Sequence, residues 1–268
     1  MQKTILVTGS TDGIGLATAK ILVSLGHNVL LHGRNRSKLD DAEKALTALQ
    51  GGGRVESYVA DLSRMADVEA LAKAVTEKHA KLDVLINNAG IFKTPNPVTP
   101  DGLDVRFVVN TLAPYLLTKR LLPLLGTLGR VVNLSSAAQA PVDLEALAGR
   151  HKLDDMGAYA QSKLAITAWT RVMAQELKDG PVIIAVNPGS LLASKMVKEG
   201  FGVAGADISI GAKILERAAL SDEFASASDQ YYDNDNSQFA SPHPDALDAR
   251  KSGELVSVIE TILAGLAR

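Results

Sequence analysis

The stretch Thr8-Gly9-Ser10-Thr11-Asp12-Gly13-Ile14-Gly15 follows a short apolar run, Thr4–Thr8, and leads into a helical pattern at about 14–25. At a strand-to-helix junction, Gly9 permits a tight turn and Gly13 a close backbone approach to a pyrophosphate. Gly15 permits close packing of helix on strand. Phosphates lodged there meet free N–H groups and the positive end of the helix dipole. The stretch predicts a nucleotide site on the first strand-turn-helix unit; the bland alternative is an ordinary glycine-rich turn.

Outward from this junction, short apolar runs alternate with amphipathic stretches. Strands are expected at Thr4–Thr8, Asn28–His32, Arg54–Val59, Val84–Asn87, Arg130–Leu134, Val182–Asn187 and Gln230–Tyr232. Helices are expected at about 14–25, 36–49, 64–79, 101–125, 157–178 and 208–220, with a closing helix over Leu255–Leu266. The continuous Val/Ile/Leu character of several strands suits a sheet buried on both faces. Parallel strands need crossovers, which helices supply. The expected fold is therefore α/β: a Rossmann-type, doubly wound parallel sheet of about seven strands with helices on both faces. No repeat or linker divides the chain, so residues 1–268 read as one dinucleotide-binding domain. Two stretches break the pattern, one near 140–156 and one near 190–207. The polar tail Asp233–Asp245 reads as an irregular surface loop.

Composition narrows the function. Apolar residues make up 46% of the 268 and charged residues 22%, the balance of a soluble protein with a sizeable core. A net charge of −2 gives no basic footprint for nucleic acid. Without cysteine there are no disulfides, thiolate nucleophiles or Cys-ligated zinc, and the five histidines show no metal-ligand spacing, so no metal is expected. The N-terminal apolar run is too short for a signal or a membrane span. A cytoplasmic protein is the simplest expectation.

The spacing Thr8-Gly9-x-x-x-Gly13-x-Gly15 resembles that of the short-chain dehydrogenases/reductases of the compact single-domain type, and the resemblance runs along nearly the whole chain. Asp61-Leu62 matches the pair that contacts adenine after the third strand. Asn87-Asn88-Ala89-Gly90 matches the element ending the fourth strand beside the cofactor. Asn110, Ser136, Tyr159 and Lys163 match the catalytic set in order, and Pro188-Gly189 matches the turn after the sixth strand. The resemblance implies cofactor contacts from Gly9, Ser10, Asp12, Gly13, Ile14, Gly15, Arg34, Asp61, Leu62, Asn88, Ala89, Gly90, Tyr159, Lys163, Pro188 and Gly189. Individually these residues have plainer readings: Asp61 as a helix cap, Asn87–Gly90 as a strand-ending turn, Asn110 as a satisfied buried amide.

Reducing a carbonyl needs a hydride on carbon and a proton on oxygen. The cofactor brings the first; Tyr159 is expected to bring the second. Phenol ionises near pH 10, and Lys163, four residues on along a helix, shares its face and favours the phenolate. The resemblance implies further that Lys163 holds the nicotinamide ribose and joins Asn110 in a water relay, Asn110 reaching backbone through water. Ser136 is expected to hydrogen-bond the substrate oxygen. Strand alternation points Ser135 the other way.

At the end of the second strand, Gly33 stands where an acid would hold the 2′-hydroxyl of NAD, and Arg34 follows. A guanidinium suits a 2′-phosphate, so NADP(H) is expected over NAD(H), although Asp12 stands where many NADP(H)-using relatives carry a basic residue.

Ser136 and Tyr159 lie farther apart than is common in the family. The intervening residues near 140–156 resemble the insertion of the retinol-dehydrogenase-like and protochlorophyllide-reductase-like branches. That insertion is expected to wall the pocket, and it leaves a homo-oligomer open. The segment near 190–207 is expected to cover the substrate with Leu191, Leu192, Met196 and Val197, or else to be a helix packed on the domain. Either Ser190 or Ser194 could hold the nicotinamide carboxamide. The leading expectation is a carbonyl reductase or alcohol dehydrogenase acting on a small to medium, fairly apolar molecule. An epimerase or dehydratase of the same fold, and an inactive NADP(H)-binding regulator, are the alternatives.

Overall fold

The computed structural model describes residues 1–193, 198, 202 and 204–266. The chain runs β1 (Thr4–Val7), α1 (Gly13–Ser24), β2 (Asn28–Gly33), α2 (Arg36–Thr47), β3 (Val55–Val59), α3 (Met65–Lys78) and β4 (Val84–Asn87). It continues through α4 (Val105–Phe107), a π turn (Val108–Leu112), α5 (Ala113–Leu125), β5 (Arg130–Leu134), α6 (Leu144–Leu147), α7 (Asp155–Glu176) and β6 (Val182–Asn187). The last described elements are α8 (Ile208–Leu220), a 3₁₀ turn (Asp222–Phe224), β7 (Tyr231–Asp233), β8 (Gln238–Ala240), α9 (Pro244–Leu247) and α10 (Ala249–Leu266).

The sheet order is β3-β2-β1-β4-β5-β6-β7-β8. All neighbours are parallel except β7 and β8, which pair antiparallel. Because successive strand side chains face opposite ways, Leu6, Leu30, Leu85, Val131 and Ile183 enter one core layer with α3, α5, α7 and α10. Ile5, Val7, Leu31, Ile86, Val132 and Val186 enter the other with α1, α2 and α8. This two-sided burial is why the strands read as unbroken apolar runs. The sheet has eight strands rather than about seven. The tail expected to be an irregular loop contains β8, whose Phe239 packs on Tyr232 and Phe224 with ring centroids 5.1 and 5.2 Å apart.

Between β1 and β4 the order reverses direction, and in open α/β sheets the crevice outside the strand carboxyl ends at that point is where ligands bind. The stretch at 140–154 lines none of that crevice and is anchored on α7. Asp143 caps α6 by accepting from Glu145 and Ala146 N–H, and its own N–H donates to Gln161 on α7 at 2.8 Å. Buried Arg106 joins Asp104 to Asp155 at the start of α7. His151 stays on the surface, 2.6 Å from Asp143. Among the described residues no helix is long and apolar enough to cross a membrane.

Candidate active site

A cleft of about 350 Å³ opens at the switch point. The glycine loop forms its floor. Gly9 (φ +64°) and Gly13 (φ +58°) hold left-handed backbone, which only glycine adopts cheaply. A Cβ at Gly15 would lie 2.3 Å from the Gly9 carbonyl oxygen and 2.4 Å from the Asn88 amide nitrogen, so helix α1 approaches the strand ends only because that side chain is missing. The Ile14 and Gly15 N–H groups at the start of α1 meet no acceptor among the described residues. The Gly13 N–H is taken by the Asp12 carboxylate at 2.7 Å. Unclaimed helix N-terminal donors in a glycine-lined cleft fit the pyrophosphate of a dinucleotide.

Two polar locks hold the loop. The Thr8 hydroxyl oxygen accepts from the Asn88 and Ala89 N–H groups, both at 3.0 Å, and the Asn88 side-chain amide donates back to the Thr8 carbonyl at 2.8 Å. Asn87 points the other way, into a buried network with Thr118 and Asn133. On the other side, Ser10 does not face the cleft: its oxygen accepts from the His32 N–H at 2.9 Å. Asp61, Leu62 and Arg34 border the far end of the cleft. Asp61 accepts from the Ser63 N–H and hydroxyl, closing the turn before α3 rather than capping the helix, whose cap position is Arg64. Arg34 is exposed at the rim. A Cβ at Gly33 would stand 2.5 Å from the Thr11 methyl, so an acid there would have to displace that side chain.

The opposite end of the cleft holds the titratable groups. Tyr159 and Lys163 share one face of α7, the lysine nitrogen 5.7 Å from the phenol ring centre. That nitrogen is buried, donates to the Leu134 carbonyl at 2.8 Å, and is pushed down to about 8 by burial alone. Burial pushes the Tyr159 phenol up, against a weaker downward pull from its hydrogen bond with Ser136. The expectation that Lys163 sets the phenol low is therefore not met here; desolvation dominates. Ser135 turns into α7, its hydroxyl 2.6 Å from that of Thr167, while Ser136 lies beside Tyr159.

Asn110 sits in the π turn, a device that recurs at functional sites. Its amide oxygen accepts from the Ile91 N–H at 2.8 Å, and its NH₂ donates to the Ile91 carbonyl at 3.0 Å and the Ser162 hydroxyl at 2.9 Å. It was expected to reach backbone through water; it does so directly. Ser162 in turn donates to the Tyr159 carbonyl at 2.7 Å. Asn110 thus braces the loop after β4 against the helix that carries Tyr159.

Pro188 walls the cleft, and Gly189 (φ +121°) turns the chain away from it. The Ser190 hydroxyl is committed to Asp235, at 2.6 Å. Ser194, Met196, Val197 and Phe201 lie outside the described residues; within the same segment Leu192 is buried and bridges to Ala206. Thr8, Thr11, His32 and Asp235 were not singled out from sequence. For His32 a signal existed: a polar residue directly after the apolar run Val29–Leu31.

His32 is 3% exposed and its imidazole is pushed down to about 4, chiefly by burial. A folded value below the ordinary 6.5 means the neutral ring's stability is complete above pH 6.5 and is lost as pH falls toward 4, amounting to about 3 kcal/mol. Urea unfolding at pH 7.5 and 4.5 should therefore show a larger acid loss in the wild type than in His32→Asn; equal losses would remove the histidine from the acid sensitivity.

A parallel sheet ordered β3-β2-β1-β4-β5-β6, with a glycine loop at its switch point, defines a Rossmann-type fold. The chain belongs to the short chain dehydrogenase family, whose model matches residues 3–201. Over 193 residues it is 35% identical to retinol dehydrogenase 13 of Mus musculus, a match covering 70% of this chain and 58% of that protein. The chain thus spans about six tenths of the length of that relative. Among solved structures, an uncharacterised protein from Mycobacterium paratuberculosis superposes with a TM-score of 0.80 at 28% identity, covering 97% of this chain and 92% of the other. A short chain dehydrogenase from Burkholderia cenocepacia J2315 in complex with NADP superposes with a TM-score of 0.69 at 27% identity, covering 87% and 95%.

Proposed function

We propose that this chain is an NADP(H)-preferring oxidoreductase that interconverts a carbonyl and an alcohol on a small to medium, apolar molecule. The observation that carries the reading is a single cleft with unclaimed helix N–H donors at its floor and Tyr159, Ser136 and Lys163 gathered at one end. A bound nicotinamide cofactor supplies hydride chemistry there. Tyr159 gives the proton to the substrate oxygen in reduction and takes it in oxidation. Ser136, whose oxygen accepts from the Ala138 N–H at 3.1 Å and whose hydroxyl is hydrogen-bonded to Tyr159, turns its proton to the substrate oxygen when substrate enters between them. Lys163 holds the cofactor ribose, and Asn110 keeps the wall behind Tyr159 rigid. Ile91, Val109 and Phe92, the last with its ring centre 5.2 Å from that of Tyr159, make the adjoining walls apolar. That lining, and the likeness to a retinol dehydrogenase, support an apolar substrate. The insertion near 140–156, tied to α7 through the Asp143–Gln161 hydrogen bond, would wall the substrate side.

Preference for NADP(H) rests on Arg34 at the rim and on Thr11 occupying the space at Gly33 where an acid would serve NAD. A charged hydrogen bond contributes about 1.5–3 kcal/mol, so Arg34→Ala should weaken NADPH by about 10- to 100-fold and leave NADH nearly unchanged. Nicotinamide fluorescence titrations of both cofactors on wild type and variant check this. Equal losses for the two would remove Arg34 from phosphate recognition, and binding of neither by the wild type would overturn the proposed function.

A further inference from the structure

His32 occupies the fifth position of β2 and touches both halves of the cleft. The Gly9 N–H donates to Nδ1 at 3.1 Å, and Nε2 lies 3.1 Å from the Ala60 carbonyl oxygen. A carbonyl only accepts and an N–H only donates, so the neutral ring with its proton on Nε2 satisfies both contacts and no other tautomer does. The backbone of the same residue is doubly tied to Ser10: its N–H donates to the Ser10 hydroxyl oxygen at 2.9 Å and its carbonyl accepts from the Ser10 N–H at 2.9 Å. Gly9 and Ser10 begin the glycine loop. Ala60 leads into Asp61 and Leu62 at the far end of the cleft, and His32 itself borders the cavity between them.

We propose that His32 is a positioning residue for the dinucleotide, setting the distance between the glycine loop that receives the pyrophosphate and the Ala60–Leu62 edge that receives the adenosine. This rests on the dinucleotide reading given above. A satisfied buried histidine needs no such arrangement: two hydrogen bonds within one strand or helix would do. Here the two bonds leave opposite ring nitrogens for two different segments, each on one side of the ligand cleft, and each bond fixes a backbone group rather than a side chain. A ligand that spans both segments feels the ring as a spacer; a ligand confined to one segment does not.

Two substitutions separate the ties. In His32→Asn the amide oxygen stands near the Nδ1 position and keeps the Gly9 N–H bond while the Ala60 bond is lost. In His32→Gln the amide NH₂ reaches the Nε2 position and keeps the Ala60 bond while the Gly9 bond is lost. Calorimetric titration of each folded variant with NADPH and with adenosine 2′-monophosphate, well below its melting temperature, reads the consequence without any turnover. His32→Gln should weaken NADPH about 5- to 10-fold and leave adenosine 2′-monophosphate within twofold. His32→Asn should weaken both ligands by similar factors, since it frees the adenosine edge. Unchanged NADPH affinity in both variants would overturn the positioning role, as would a loss in His32→Gln that is equal for the two ligands. Failure of the wild type to bind NADPH would strike the dinucleotide reading instead.

Discussion

Tyr159→Phe should lower kcat by about 10³-fold while NADPH affinity stays within threefold of wild type. Proton transfer by a positioned side chain accelerates reactions by about 10²–10⁴-fold, and this substitution removes only the hydroxyl. The ring that packs at 5.2 Å on Phe92 and at 5.7 Å from the Lys163 nitrogen is kept, so the wall of the cleft stays in place. The direction of the pKa shift adds a second readout. Burial pushes the phenol above its ordinary range, so the proton donor remains loaded throughout neutral pH and carbonyl reduction should be flat there. Alcohol oxidation, which needs the phenolate, should rise with pH over the same range. Steady-state rates in both directions across pH 6–10, with a fluorescence titration of the variant, check this. A Phe variant that retains wild-type turnover would remove Tyr159 from the chemistry.

The parts of this architecture that were legible in the sequence are those with strong, local physical causes. The inner strands β1, β2, β4, β5 and β6 are buried on both faces, so their apolar runs announce them, and β4, β5 and β6 fall on the residues expected. The glycine loop was readable because Gly9, Gly13 and Gly15 each answer a steric demand that no other residue meets. β8 was not readable. It is three residues long, its Gln238 and Phe239 are exposed, and it exists because Phe239 finds Tyr232 and Phe224, a contact no local pattern encodes. The four-residue helices α6 and α9 are too short to show a period. The π turn hides within an apolar stretch whose spacing reads as a continuous helix. At the site, residue identities were legible but orientations were not. Ser10 is in the motif yet turns inward to His32, and Ser190 follows the motif yet gives its hydroxyl to Asp235. Both outcomes depend on which distant polar group lies within reach, and that is a property of the folded sheet rather than of the strand end.

Lys163 carries the largest expected conflict between stability and function. The residue is 4% exposed, its ammonium donates among the described residues to one backbone carbonyl, and no carboxylate is among the causes of its shift. A lysine that titrates at about 8 instead of 10.5 is disfavoured in its charged form. The folded state therefore bears a penalty of about 3 kcal/mol at neutral pH, and the penalty fades as pH rises from 8 toward 10.5. Lys163→Met keeps the length of the side chain, removes the charge and leaves the Leu134 carbonyl unpaired at a cost of about 1–2 kcal/mol. The net gain should be about 1–2 kcal/mol at pH 7, which for a chain of this size raises Tm by a few degrees. Turnover should meanwhile fall by at least about 10²-fold if Lys163 anchors the cofactor ribose as proposed, because a methionine offers the ribose no donor. Thermal melts of wild type and variant at pH 7 and pH 10 separate the charge from the packing. A gain present at pH 7 and much reduced at pH 10 would identify the buried ammonium as the source of the penalty. A variant less stable than wild type at pH 7 would mean that the hydrogen bond to Leu134 outweighs the burial of the charge, and Lys163 would then be a structural clamp as well as a candidate catalytic group.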